Sequence, residues 1–189
     1  YFSVDWVTSY LNDYGSNCLF KDIQDDDVYG NANFAINLMK DNSIFEQLII
    51  FDSNRYNYGE YIGYDFIKDN QINWYERLVN YTTSINSGSV VDSMTFFHIP
   101  FPEFDEAYDK AINGDPDSIL EYGEKREPVC APETNTGLFD KILQLQKINY
   151  QQNQFRATNN LLIKTQIKFQ ERCITLLKPA PGLLLAQLG

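Results

Sequence analysis

Residues 46–53 read EQLIIFDS, residues 93–100 read SMTFFHIP, and between them KDNQINWYERLVNYTT occupies 68–83. Both outer runs are short, rich in Ile or Phe and bounded by polar or turn residues, which is the pattern of buried strands. The middle segment places Ile72, Tyr75, Leu78 and Val79 at helical spacing, with Asp69 or Asn70 at the cap position. Strand, helix and strand in that order predict an α/β domain with a crossover helix over a sheet. Working outward, NFAINL at 33–38 predicts another strand. EFDEAYDKAIN at 103–113 predicts an acidic helix with Phe104, Ala107, Tyr108 and Ala111 on one face, ended by the turn residues NGDPDS at 113–118. A further helix is expected at TGLFDKILQLQ, 136–146.

The composition is that of a globular chain: 189 residues with 43% hydrophobic content suffice for one sizeable core. A formal charge of −11 argues against a nucleic-acid surface, which needs clustered Lys and Arg. No run approaches the roughly 18 uninterrupted apolar residues of a membrane span, so no membrane association is expected. The chain begins at Tyr1, and YFSVDWVTSYLNDY has neither the basic start nor the apolar run of a signal peptide; an internal or processed start is the expectation. Asn80-Tyr81-Thr82 fits the glycosylation sequon, which leans toward a secretory or vacuolar route while leaving a cytoplasmic one open. Cys18, Cys130 and Cys173 are odd in number and form no C-x-x-C pair, which excludes a cysteine zinc site but leaves one disulfide possible.

His98 is the single histidine. At a strand end it serves either as a hydrogen-bonded structural residue or as a rigidly presented ligand, with Pro100 and Pro102 fixing how the chain leaves. Asp52 ends the other buried strand. If the two strands are parallel neighbours, Asp52 and His98 share the carboxyl edge of the sheet, where open α/β folds bind ligands. Asp-Ser-Asn is also ordinary turn chemistry, so Asp52 has a capping alternative. The loop DSNRYNYGEYIGYDF at 52–66 is crowded with tyrosine and glycine; its Tyr58 and Tyr61 are candidates for substrate contact, or for a lid packed by its own aromatics.

VYGNANFAINL, LIIFDSNRYNYGEYIGYDFIKDNQINWYERL, TFFHIPFPEF and YGEKREPVCAPETNTGLFDKIL, in that order from about Asp27 to Leu145, resemble the calcineurin-like metallophosphoesterase superfamily. More narrowly they are similar to its purple-acid-phosphatase-like branch. The combination of D-S, Q-x-x-W-Y, F-F-H-I-P-x-P-E and E-x-x-C-x-P-x-x-N-x-G-L-F carries the resemblance. It implies a β-sandwich flanked by helices, of which this chain is part, and metal-dependent hydrolysis of a phosphorylated small molecule or phosphoprotein. The cofactors implied are two metal ions, Fe, Zn or Mn, that bind phosphate oxygens and activate a water. By that match His98 is a metal ligand, Glu103, Glu127 and Asn135 sit in family-like motifs, and Asp52, Glu103 and Asn135 are candidates for the site's edge. Glu103 then orients His98 or caps the following helix, and Asn135 serves the site edge or a turn.

The family's other ligands come from D-x-H, G-D, G-N-H-D/E and G-H-x-H motifs. One histidine rules out three of the four, and the Gly114-Asp115 pair falls after His98, out of order. At most one or two ligands are therefore expected from this chain, with a non-catalytic scaffold or partner-binding piece as the alternative. Residues 147–189 carry six basic residues and one acid, a net of +5, leaving −16 on residues 1–146. That break predicts two segments: 1–146 a partial metallophosphoesterase domain, and 147–189 a divergent basic tail.

Overall fold

The computed structural model describes residues 2–14, 17–21, 27–56, 63–115 and 128–145. For 57, 118–122, 146–152, 161–169, 172–180 and 183–188 it gives the backbone course alone. In chain order the elements are helix α1 (Val4–Tyr14), strands β1 (Phe34–Lys40), β2 (Ser43–Ile50), β3 (Tyr56–Asn57) and β4 (Gly63–Tyr64), helix α2 (Asp69–Ile85), strand β5 (Asp92–Phe97), helix α3 (Glu103–Ile112), and helix α4 (Leu138–Gln152). Strand backbone also occurs at Ser118–Tyr122, Leu161–Phe169, Arg172–Ala180 and Leu183–Leu188.

β1, β2 and β5 lie side by side in that order in a mixed sheet. β1 and β2 are antiparallel, from Phe34 opposite Ile50 to Lys40 opposite Ser43. Asp41 and Asn42 close this hairpin with φ of 50° and 62°, the left-handed pair that a two-residue turn between twisted strands requires. β2 and β5 are parallel, joined over α2, with Ile50 opposite Phe96. This is the predicted strand–helix–strand unit, and the domain is α/β.

The sheet buries one face more completely than the other. Gln47, Ile49, Ser93, Thr95 and Phe97, alternating along β2 and β5, are all buried, whereas Leu48, Ile50, Met94 and Phe96 on the opposite face are half-buried. Onto the buried face pack Ile72, Tyr75 and Val79 of α2, Phe104 and Ala107 of α3, and Leu138, Ile142 and Leu145 of α4, in one continuous core. Phe51 meets Trp74 edge-on at 5.4 Å, and Phe97 stacks on Phe101 at 4.2 Å. A fully buried ring of this size contributes about 1.5–3 kcal/mol through the water it sheds.

The predicted cap of α2 needs one correction. The helix already runs at Asp69, the capping position is Lys68 in extended geometry, and Gln71 reaches back so that its Oε1 accepts the Lys68 N–H at 2.8 Å. The glutamine stands three residues on and supplies the acceptor. α3 starts at Glu103 after Pro102, with Glu103, Asp105 and Glu106 in its first turn, where the helix dipole favours negative charge.

The sequence reading did not anticipate α1. It buries Thr8, is tied to the domain through Asn31, whose Nδ2 donates to Asp5 Oδ1 at 2.7 Å, and turns Trp6, Tyr10 and Tyr14 outward, with Phe2 exposed just ahead of it. Their rings follow one another at 4.1, 5.3 and 5.1 Å, an exposed ladder at one-turn spacing. No helix among the described residues is long and apolar enough to cross a membrane.

Candidate functional site

The carboxyl edge of β2 and β5 is where the sequence-predicted residues meet. Register pairs Ile50 with Phe96, and Phe51 N–H donates to Phe96 O at 2.9 Å, so Asp52 and His98 each leave the sheet two residues further on, at the same level. His98 is exposed there, between buried Phe97 and buried Ile99.

Asp52 is held on every side. Its Oδ2 accepts the Asn31 N–H and its Oδ1 the Asn54 N–H, both at 2.9 Å. The second bond is the turn-capping role weighed from the sequence, and it coexists with the edge position. The main chain of Asp52 is equally engaged: its N–H donates to Asn33 Oδ1 at 3.1 Å and its carbonyl accepts from Gln71 Nε2 at 2.7 Å. Gln71 Nε2 also donates to Asn33 Oδ1 at 2.8 Å. Gln71 and Asn33 are both essentially excluded from water, which explains why each polar atom finds a partner. Gly30, at φ +92°, lets the loop wrap the carboxylate; a Cβ there would lie 2.8 Å from Asp52 Oδ2.

Ser53, next in the chain, is buried. Its Oγ accepts two successive backbone donors from across the sheet, the N–H of His98 at 3.1 Å and of Ile99 at 2.9 Å. Glu103 and Asn135 are brought to each other, with Asn135 Nδ2 donating to Glu103 Oε1 at 2.6 Å and Asn135 Oδ1 accepting the Gly137 N–H at 3.0 Å. The other Glu103 oxygen, Oε2, is buried with no hydrogen-bond partner among the described residues. Asn135 also lines a cleft beside the edge, whose walls include Ser53, Asp65, Pro100 and Pro102. Asp65 pairs with Lys68, whose ammonium lies 3.4 Å from the centre of the Phe66 ring.

The sequence reading named Asp52, His98, Glu103 and Asn135 as candidates and did not name Ser53, Asn33 or Gln71. The available signal was Gln71 on the buried stripe of α2, since a buried amide must be bonded. Tyr58, Tyr61 and Glu127 lie outside the described residues. Tyr56 and Tyr64, which flank that loop, stack at 5.2 Å. Cys18 and Cys130 are free thiols; the side chain of Cys173 lies outside the described residues. In the Asn80 sequon, Asn80 is exposed on α2, but Thr82 is buried and its hydroxyl donates to the carbonyls of Leu78 and Val79 at 3.0 and 3.1 Å.

The donors among the described residues do not fit a two-metal centre. A metal held by protein needs at least about three converging ligands, and no group of three His, Cys, Asp or Glu is poised for one among the described residues.

The fold and its edge thus define an α/β domain whose carboxyl edge carries an exposed imidazole and a fixed carboxylate, and its recognised relatives are phosphatase-like. The chain is 30% identical over 116 residues to "Phosphatase DCR2" of Saccharomyces cerevisiae, a match covering 59% of this chain and 19% of that protein. It is 27% identical over 130 residues to "Probable inactive purple acid phosphatase 14" of Arabidopsis thaliana, covering 62% of this chain and 30% of that protein. The chain therefore spans less than a third of either relative. No family model and no solved structure matches it.

Proposed function

We propose that this chain is the histidine-bearing portion of a phosphoesterase domain that hydrolyses phosphate esters with bound metal ions, and that His98 is the ligand it contributes. The observation that carries the reading is the placement of His98 level with Asp52 at the carboxyl edge of two parallel strands. Similarity to a yeast phosphatase over more than half the chain supports the reaction class. In such an enzyme Fe, Zn or Mn ions supply charge neutralisation and an activated water. This chain's own residues fix the edge: Ser53 holds the main chain at His98, and the Asn31, Asn33 and Gln71 contacts hold Asp52. The substrate is a phosphorylated small molecule or phosphoprotein.

A second reading, a scaffold of the same fold without catalysis, is favoured by the relative named as inactive and by the single imidazole of the sequence. Titration of Zn²⁺ and Mn²⁺ into the polypeptide separates the two, with p-nitrophenyl phosphate turnover measured alongside as a control. On the proposed reading one Zn²⁺ binds weakly, His98→Ala lowers its affinity at least about tenfold, and the isolated polypeptide shows no turnover. Binding indifferent to His98→Ala overturns the ligand role, and two tightly held metals overturn the single-ligand contribution. No binding at millimolar metal favours the scaffold.

A further inference from the structure

We infer that Ser53 is the positioning residue for His98, acting on the main chain and not on the imidazole itself. The inference rests on the phosphoesterase reading for its functional meaning and on geometry for its content. Where a strand ends, its N–H groups lose their ladder partners and need other acceptors. At the end of β5 two consecutive donors, His98 N–H and Ile99 N–H, converge on one oxygen, Ser53 Oγ, at 3.1 and 2.9 Å. Two donors on one acceptor fix both peptide planes around His98, and with them the direction of its Cα–Cβ bond.

Ser53 is itself immobile for reasons visible in the same network. It is buried and sits between Asp52 and Asn54. Asp52 is fixed by Asn31, Asn33 and Gln71, while Asn54 donates its side-chain amide to the Phe66 carbonyl at 3.0 Å. The constraint therefore runs from the buried Asn33–Gln71 pair, through the Asp52 main chain, to Ser53 and across the strands to His98. Because Ser53 and Ile99 also line the cleft next to the edge, the same hydroxyl sets the wall against which a bound molecule would lie relative to the imidazole. Only a small side chain with an acceptor oxygen can reach both N–H groups; Thr retains that oxygen and Ala removes it.

The test uses the full polypeptide in metal-free buffer, so that its result is independent of whether His98 ever meets a metal. One-bond N–H and Cα–Hα residual dipolar couplings at His98 and Ile99, with amide exchange at the same sites, are measured for wild type, Ser53→Ala and Ser53→Thr. In the wild type the His98 couplings should fit the alignment of the β2–β5 sheet. In Ser53→Ala they should shrink toward zero and exchange should rise about tenfold or more at these two amides, with Ile49 and Phe97 unchanged. Ser53→Thr should restore the wild-type pattern. If Ser53→Ala leaves the His98 couplings on the sheet's alignment, or lowers protection evenly through the core, Ser53 is a general stabiliser and the inference fails. If Ser53→Ala does not fold, the wild-type couplings still decide, because disordered couplings at His98 in the wild type overturn the proposal. Ordered couplings together with metal binding indifferent to His98→Ala would retain the anchor and discard the ligand role of His98.

Discussion

Gly30 shows how much one residue can control at this edge. Its φ of +92° and the 2.8 Å separation between its missing Cβ and Asp52 Oδ2 mean that a methyl group meets both backbone strain and a carboxylate anchored by two N–H donors. Gly30→Ala is expected to lower stability by about 1–3 kcal/mol, read as a shift of the urea midpoint; an unchanged midpoint would mean that the loop does not clasp Asp52 in solution. At this scale the sequence was partly legible. Asp52 and His98 stood out because a carboxylate and an imidazole at the ends of apolar runs break a pattern. Ser53, Asn33 and Gln71 did not, since serine and amides are common everywhere and only the fold shows which are buried. Glu103 and Asn135, far apart in the chain, pair with each other, a contact across 32 positions that no local pattern encodes.

Among the elements, β5 and α2 carry the most legible signals, period two and period 3.6 over buried faces, and both lie where the pattern put them. The start of α2 slipped by one or two residues because Gln71, not an Asp or Asn, supplies the acceptor. α1 was less legible for a physical reason: Trp6, Tyr10 and Tyr14 recur at one-turn spacing but face outward, so their stripe marks no buried face. The α2–β5 interface also carries a pH dependence. Burial of the Tyr75 phenol pushes its pKa well above the ordinary value, with a hydrogen bond to Ser93 opposing the shift. The folded state thus favours the neutral phenol, so this contribution is intact below an unfolded-state pKa of about 10 and is lost as pH rises beyond it. Urea midpoints should fall above pH about 10, and Tyr75→Phe, which keeps the ring near Phe51, should fall less steeply. Parallel curves for the two proteins would remove Tyr75 as the cause.

For the whole molecule, composition led to the expectation of one sizeable core and the charge argued against a nucleic-acid surface; both are properties of sums, open to reading without a fold. The architecture followed from one strand–helix–strand unit, whereas the hairpin turn at Asp41–Asn42 and the aromatic ladder of α1 emerge only in three dimensions. That ladder gives the protein a pair of separable optical reporters. Trp74 is 8% exposed, against the sheet, and Trp6 is 47% exposed in the ladder. Acrylamide should quench a red-shifted emission that Trp6→Phe abolishes, leaving a blue, shielded signal from Trp74; a signal still freely quenched in that variant would show that the indole is not packed between α2 and the sheet. Light from one ring then reports when the amino-terminal helix melts, and light from the other when the sheet lets go, so a single cuvette can tell whether the two events are one.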